Sequence, residues 1–436
     1  MMSNRSFNLK SFFKGNILLI AYAFTMTALL YFRDVEGVSL SKNIFVVLVL
    51  SVSVFANYET LVSIICFTLP LMCGLPGNFF LPVWMLLVLY KLHQRKMLKE
   101  AHAITFVIIL LFSEVMHILA DSFDLDIMQF VGYSCSLLLV SVFAMNNTRM
   151  EYHLPVIMFC VGCCVLLAIV YLMYSSNPML MYVDGGVRMG GDSNKEDGVM
   201  SLATNANNIG YLSSASIACA FALFYYKKLS IAPFLLIFII SFYCGMFSVS
   251  RTWVLTIAII LFSYFMMNKQ DRIYGYTMLT LMVVGGIYYF LKNPDFLNMF
   301  LDRFSGDEIE TGGQRTTLFA EYNKFLGEHV GNMFLGTGAL MYKEVARIGH
   351  ATHNGLQQIW VSYGIFGFIF IVFAYIKALK INYCPKQYMS VMPMIAIFFF
   401  LQTIQILNPY NGMYPLIAAF FVMKMVKQDE VSKFTR

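Results

Sequence analysis

The sequence predicts an all-α fold, a polytopic membrane helix bundle of about 12–14 transmembrane helices with two extended loops on the face away from the cytoplasm. Three observations predict it. Of the 436 residues, 59% are hydrophobic and only 12% are charged, with a mean hydropathy of +0.69, whereas a soluble globular chain is roughly a quarter charged. Apolar runs able to cross about 30 Å of hydrocarbon recur along nearly the whole chain. Lys and Arg then collect in alternate connections between those runs. Residues 1–436 therefore read as a single integral membrane domain, and a water-soluble enzyme is excluded. The formal net charge of +6 reports orientation and implies no nucleic-acid partner.

The apolar runs lie at roughly 15–32, 43–57, 60–73, 78–92, 102–120, 127–145, 154–174, 204–225, 231–249, 252–268, 273–291, 354–377, 388–407 and 412–426. The first ends in bulky Tyr31 and Phe32, so it reads as a retained span and not a cleaved signal. The third, fourth and last are short for a full crossing. With the N-terminus cytoplasmic, alternate connections hold Arg5, Lys10 and Lys14; Lys91, Arg95, Lys96 and Lys99; Arg149; Lys227 and Lys228; Lys269 and Arg272; and Lys377, Lys380 and Lys386. The tail adds Lys424, Lys427, Lys433 and Arg436. The short connections on the other side carry only Arg33, Lys42 and Arg251, together with the acidic Asp121, Asp124 and Asp126. This asymmetry puts both termini in the cytoplasm.

Two long polar segments, 175–203 and 292–353, then fall outside, where any chemistry is expected. In the second, Gly312 and Gly313 precede Leu318, Phe319, Tyr322, Phe325 and Leu326. That spacing predicts an amphipathic helix, laid on the membrane surface or packed over the bundle. The nine cysteines mostly sit within apolar runs, where a thiol suits helix packing. Cys160, Cys163 and Cys164 have a zinc-like spacing, but no polar ligand accompanies them, so neither metal nor cofactor is expected. There is no Walker A loop, zinc-protease motif or dinucleotide turn.

Candidate residues gather at the external ends of helices. Arg251, in Ser250-Arg251-Thr252-Trp253, lies in a tight connection between two apolar runs. A guanidinium suits phosphate, and the following helix N-terminus adds partial positive charge. The alternative is an interfacial arginine snorkelling to headgroups. His353 opens Thr352-His353-Asn354-Gly355-Leu356-Gln357. The helix dipole there disfavours imidazolium and leaves a neutral ring, as a general base requires, with Gln357 one turn on; a structural histidine is the plain alternative. Arg315 heads the amphipathic helix, where a solvated surface charge is the default reading. Asn205, Asn207 and Asn208 stand where the chain re-enters the membrane and can cap that helix or hydrogen-bond a sugar. Glu114 and His117, three apart within the fifth run, either pair, bridge helices or relay protons.

The order of Asn205-Ala206-Asn207-Asn208, Ser250-Arg251, Arg315 and His353-Asn354-Gly355-Leu356-Gln357, followed by Val361-Ser362-Tyr363-Gly364-Ile365-Phe366-Gly367, resembles the O-antigen polymerase and O-antigen ligase superfamily. The resemblance covers about residues 200–375. It implies a bacterial inner-membrane glycosyltransferase whose two long loops are periplasmic. The donor would be an oligosaccharide on undecaprenyl diphosphate, transferred to a sugar hydroxyl in O-antigen, capsule or exopolysaccharide biosynthesis. By that resemblance Arg251 and Arg315 grip the diphosphate and His353 deprotonates or orients the acceptor, with Asn205, Asn208, Asn354, Gln357 and Arg188 binding substrate. Membrane lipids, a chain-length regulator and a flippase would be its partners. Polymerase is favoured over ligase, which would deliver the glycan to lipid A core. The chain departs from the paired Arg-to-Gly loop pattern of polymerases, because Gly198 follows Arg188 by ten positions and Gly327 follows Arg315 by twelve. The rival from another class is a transporter of lipid-linked oligosaccharide, for which Glu114 and His117 speak; such a protein places polar residues at mid-membrane on discontinuous helices.

Overall fold

The apolar runs become helices, and polar or helix-breaking residues set their ends. The computed structural model describes residues 16–95, 101–121, 127–146, 148, 150–174, 182–183, 186–189, 202, 204–267, 272–294, 297–298, 301, 315–404, 407 and 413–434. The N-terminal half holds α1 (Ile17–Asp34), α2 (Lys42–Phe55), α3 (Tyr58–Thr68), α4 (Gly77–Gln94), α5 (Ala101–Asp121), α6 (Ile127–Met145) and α7 (His153–Tyr174). Ser41 starts α2 by accepting from Asn43 N at 3.3 Å, and Asn57 starts α3 by accepting from Thr60 N at 2.9 Å. Pro70 turns the continuation of α3 into a 3₁₀ segment, Leu69–Gly74.

The second half holds α8 (Ala206–Tyr225), α9 (Ile231–Met246), α10 (Arg251–Met267), α11 (Arg272–Lys292), α12 (Arg315–Glu328), α13 (Val330–Leu335), α14 (Tyr342–Ala346), α15 (Gly355–Asn382), α16 (Met392–Phe400) and α17 (Tyr414–Phe434). Three short antiparallel strands precede α8: β1 (Tyr182–Val183), β2 (Gly186–Met189) and β3 (Thr204–Asn205). β1 and β2 lie in the segment read as the polar loop 175–203, most of which is outside the described residues, as are Gly312, Gly313 and Gly198, while β3 opens the run read as 204–225.

The protein is thus a helical membrane protein. Among the described residues, five helical stretches are long and apolar enough to cross a bilayer: Ile17–Asp34, Ile127–Met145, His153–Met173, Asn207–Tyr225 and Gly355–Asn382. Other apolar helical stretches among the described residues run to 10–17 residues, and they belong to helices that include α4, α5 and α11, of 18, 21 and 21 residues. The 17 residues of α10 span about 25 Å, short of the roughly 30 Å of hydrocarbon. In α3 a proline makes the helix shorter than its apolar run, because Pro70 turns the chain after Thr68 into a 3₁₀ segment.

Helix α8 is the hub. It packs against α7, α9, α10, α16 and α17. Its Ser213, Ser214, Ser216, Ala218, Ala220 and Ala222 are fully buried. Lipid tails are as apolar as leucine, so close backbone approach and hydrogen bonds join such helices. Accordingly, Ser213 Oγ donates to Ser241 O at 2.6 Å and accepts from Trp253 Nε1 at 2.9 Å, while Ser241 Oγ donates to Ser216 Oγ at 3.1 Å. Cys160 Sγ reaches Ser216 O at 3.6 Å, so this thiol is helix-packing material.

At the end of the bundle where α15 finishes, Lys424 of α17 donates to the carbonyls of Phe143 (2.5 Å) and Asn146 (2.6 Å). Asn382 Nδ2 donates to Ala144 O at 2.8 Å. These groups satisfy carbonyls that the end of α6 leaves unbonded. On the loop side, α12 buries Leu318, Tyr322, Phe325 and Leu326 against Tyr342 and Val361, so this helix packs its apolar stripe on protein. Phe319, read as part of that stripe, is 43% exposed.

Helix α15 is discontinuous. Gly364 sits at φ 64°, ψ −175°, outside helical space. Thr337 N donates to the carbonyls of Val361 (3.0 Å) and Ser362 (3.1 Å), and Gly338 N donates to Ser362 O at 2.8 Å. The segment after α13 thus supplies the hydrogen bonds that the break removes. A Cβ at Gly364 would lie 2.2 Å from Phe334 O, so both the conformation and the approach require glycine. Gly364→Ala is expected to destabilise the protein by at least about 2 kcal/mol, read as a lower melting temperature of detergent-solubilised protein. Gly285→Ala, at a position with nothing within 4 Å, should melt no earlier than wild type.

Candidate functional site

The N-terminus of α15 is built by its cap. Asn354 Oδ1 accepts from the backbone N of Leu356 and Gln357, both at 3.0 Å. Its Nδ2 donates to Gln402 Oε1 at 3.3 Å, and Gly355 N donates to Leu401 O at 2.6 Å. Gln357 Nε2 donates to Phe319 O at 2.9 Å and Asn323 Oδ1 at 3.2 Å, which ties α15 to α12. Asn354 and Gln357, both candidates for substrate binding, therefore perform structural tasks here; the buried Gln357 Oε1 has no hydrogen-bond partner among the described residues.

His353 immediately precedes this cap and adopts φ 48°, a left-handed conformation uncommon for a side-chain-bearing residue. The chain is fixed on its other side by Tyr322 Oη, which donates to His350 O at 2.7 Å. Burial first, then the positive charges of Arg315 and His350, hold the His353 imidazole below its ordinary value. Folding thus brings Arg315, the first residue of α12, into electrostatic reach of His353. His350 was not singled out from the sequence. Its only signal there was the His350-Ala351-Thr352-His353 spacing, which gains meaning once the loop closes. The N-terminus of α12, at Arg315, thus lies within electrostatic reach of the residue that precedes the N-terminus of α15, and the partial positive charge of such helix ends favours an anion.

Arg251 stands at the N-terminus of α10, half-buried behind buried Ser250. Val249, just before it, is held at φ 44°; for a β-branched residue this is a strained conformation. Phe400 connects this corner to His353's. Its ring packs 5.5 Å from Tyr211 of α8, next to Gly210, Ser248 and Trp253, and the following Leu401 and Gln402 accept from Gly355 and Asn354. The N-termini of α8, α10 and α15 therefore share one end of the bundle. Asn208 lies in the first turn of α8. Arg188 of β2 and Asn205 of β3 are antiparallel partners in the strand register, an adjacency that sequence distance conceals.

Glu114 and His117 do not pair with each other. Glu114 accepts from Ala339 N at 2.6 Å and Leu340 N at 3.4 Å, and from the Tyr363 hydroxyl, which also bonds the Tyr133 hydroxyl. His117 Nε2 donates to Leu335 O at 3.1 Å. Both therefore bridge α5 to the segment 335–340. Among the described residues, no group of His, Cys, Asp and Glu is gathered as a metal-ligand set.

Chemically, the loop end of the bundle offers cationic and dipolar groups for an anion beside an imidazole that is neutral near pH 7. Comparison of the chain with protein-family models, with curated proteins and with solved structures finds no match. Arg315→Gln is expected to raise the His353 titration midpoint, because it removes a charge that opposes the imidazolium. A step that uses the neutral ring would then lose rate on its acid limb at higher pH. Histidine-selective ¹³C NMR of the purified protein in detergent checks the direction of the midpoint shift.

Proposed function

We propose that the protein polymerises undecaprenyl-diphosphate-linked oligosaccharide repeat units at the periplasmic face of a bacterial inner membrane, for an O-antigen, capsule or exopolysaccharide. The observation that carries this reading is that Arg315, at one helix N-terminus, lies within electrostatic reach of His353, beside another, with burial and that charge holding the His353 imidazole below its ordinary value. It joins the resemblance of residues 200–375 to the O-antigen polymerase and ligase superfamily. His353 would take the acceptor hydroxyl's proton as that oxygen bonds to the donor's anomeric carbon. The bond from that carbon to the diphosphate breaks, and its electron pair leaves with the diphosphate. Arg251 and Arg315 would stabilise the growing negative charge with planar, paired donors. Arg188, Asn205 and Asn208 would line the sugar path, with Asn354 and Gln357 shaping it. A lipid-borne donor explains why such groups sit at the end of an apolar bundle, with both termini cytoplasmic as the basic connections require.

Ligation of the glycan to lipid A core uses the same donor and the same groups, and differs only in the acceptor. Transport of the lipid-linked oligosaccharide is favoured by one observation, the break in α15 at Gly364 beside buried Glu114. Glu114, however, accepts from three donors of the protein itself, which is how a carboxylate anchors backbone.

The test is gel analysis of surface and lipid-linked polysaccharide in a deletion strain complemented with wild type, His353→Ala or Arg251→Ala. The expected result is a single repeat unit on lipid A core in the deletion, with the ladder restored by wild type only. Long chains accumulating on undecaprenyl diphosphate above a bare core would mean ligase. Full rescue by both substitutions would overturn the catalytic assignment, and loss of function on alanine at Glu114 and His117 would then favour transport.

A further inference from the structure

Residues 338–362 form a loop closed at its base. Thr337 and Gly338 make three backbone hydrogen bonds to the carbonyls of Val361 and Ser362, and Thr337 Oγ1 adds a fourth bond, to Val361 O at 3.0 Å. His353 lies on this loop, as do α14 and the first part of α15. The base is fixed by α5 from outside the loop. Ala339 and Leu340, the first residues after the base on one strand, donate to Glu114; Tyr363, the first after it on the other, donates to the same carboxylate. One side chain therefore grips both strands of the loop at its neck. Glu114 is 0% exposed and lies seven residues from the end of α5 at Asp121, about 10 Å along the helix axis. A carboxylate at that depth persists only where it is fully hydrogen-bonded.

We infer that Glu114, with Tyr363, is a positioning residue: it clamps the neck of the 338–362 loop and thereby sets where His353 stands relative to Arg315. The inference rests on the reading of His353 as the reacting base, but the clamp itself is testable without activity. The two strands of the neck have no covalent link nearer than the loop's far side. Without the clamp, the neck keeps only the four hydrogen bonds of the Thr337–Gly338 pair, and α15 is already broken at Gly364. Glutamine at 114 keeps the size but presents a donor where backbone amides point, leaving at least one amide unpaired in an apolar setting. Phenylalanine at 363 removes one hydroxyl and leaves the helix intact.

The experiment is site-resolved carbethoxylation by diethyl pyrocarbonate of the purified full chain in detergent, at about pH 8, where histidine rings are neutral and the rate reads accessibility. Exposed His93 on α4 serves as the reference. Glu114→Gln is expected to modify at His353 roughly tenfold faster than wild type, the factor set by losing one charged hydrogen bond, with His93 unchanged; Tyr363→Phe should move His353 the same way by less. An unchanged His353 rate in both variants overturns the clamp. If Glu114→Gln accelerates His93 as well, the fold has opened, and Tyr363→Phe decides alone. If His353 accelerates in both variants while strains carrying His353→Ala keep a full polysaccharide ladder, the clamp stands and the polymerase reading falls.

Discussion

The structure depends on the need to satisfy backbone groups where there is no water. An unpaired amide or carbonyl inside an apolar bundle costs several kcal/mol, and α15 breaks in the middle of just such a region. The break is tolerated because Thr337 and Gly338 present their amides to Val361 and Ser362. That repair fixes the path of the preceding segment, with Gly336 and Gly338 at φ 85° and 80° and Glu114 receiving the amides that follow. The position of residues 336–362, and of the histidine they carry, follows from one interrupted helix.

The same rule shapes the opposite end. Lys424 and Asn382 are polar groups at 2% and 0% exposure, and both spend their donors on carbonyls around the end of α6. The basic residues that report orientation in the sequence thus also cap helices. In the middle, α8 brings its neighbours close with serine and alanine, since lipid offers no hydrophobic reward for helix association. One end is locked by lysine, the centre by small residues, and the loop end by a carboxylate on backbone amides. Apart from that carboxylate, Arg251, Arg315 and the helix N-termini of the loop end are cationic or dipolar groups of the kind that favours an anion.

Composition and periodicity determined the class of protein, the positions of most helices and the amphipathic character of 315–328. These follow from local properties of the chain: apolar runs must leave water, and a stripe at helical spacing must find cover. The candidates Arg251, Arg315 and His353 were legible because each stands next to a helix start, which is a local signal. Tertiary structure alone decided that Arg315 comes within electrostatic reach of His353, that β2 aligns Arg188 with Asn205, that α15 is two helices, and that Glu114 serves loop 335–340 and not its neighbour His117. Each of these joins residues far apart in the chain, and no local pattern encodes which distant amide a carboxylate will receive. The break at Gly364 was hidden for a related reason. A glycine within an apolar run reads as helix until a second segment arrives to take over its hydrogen bonds.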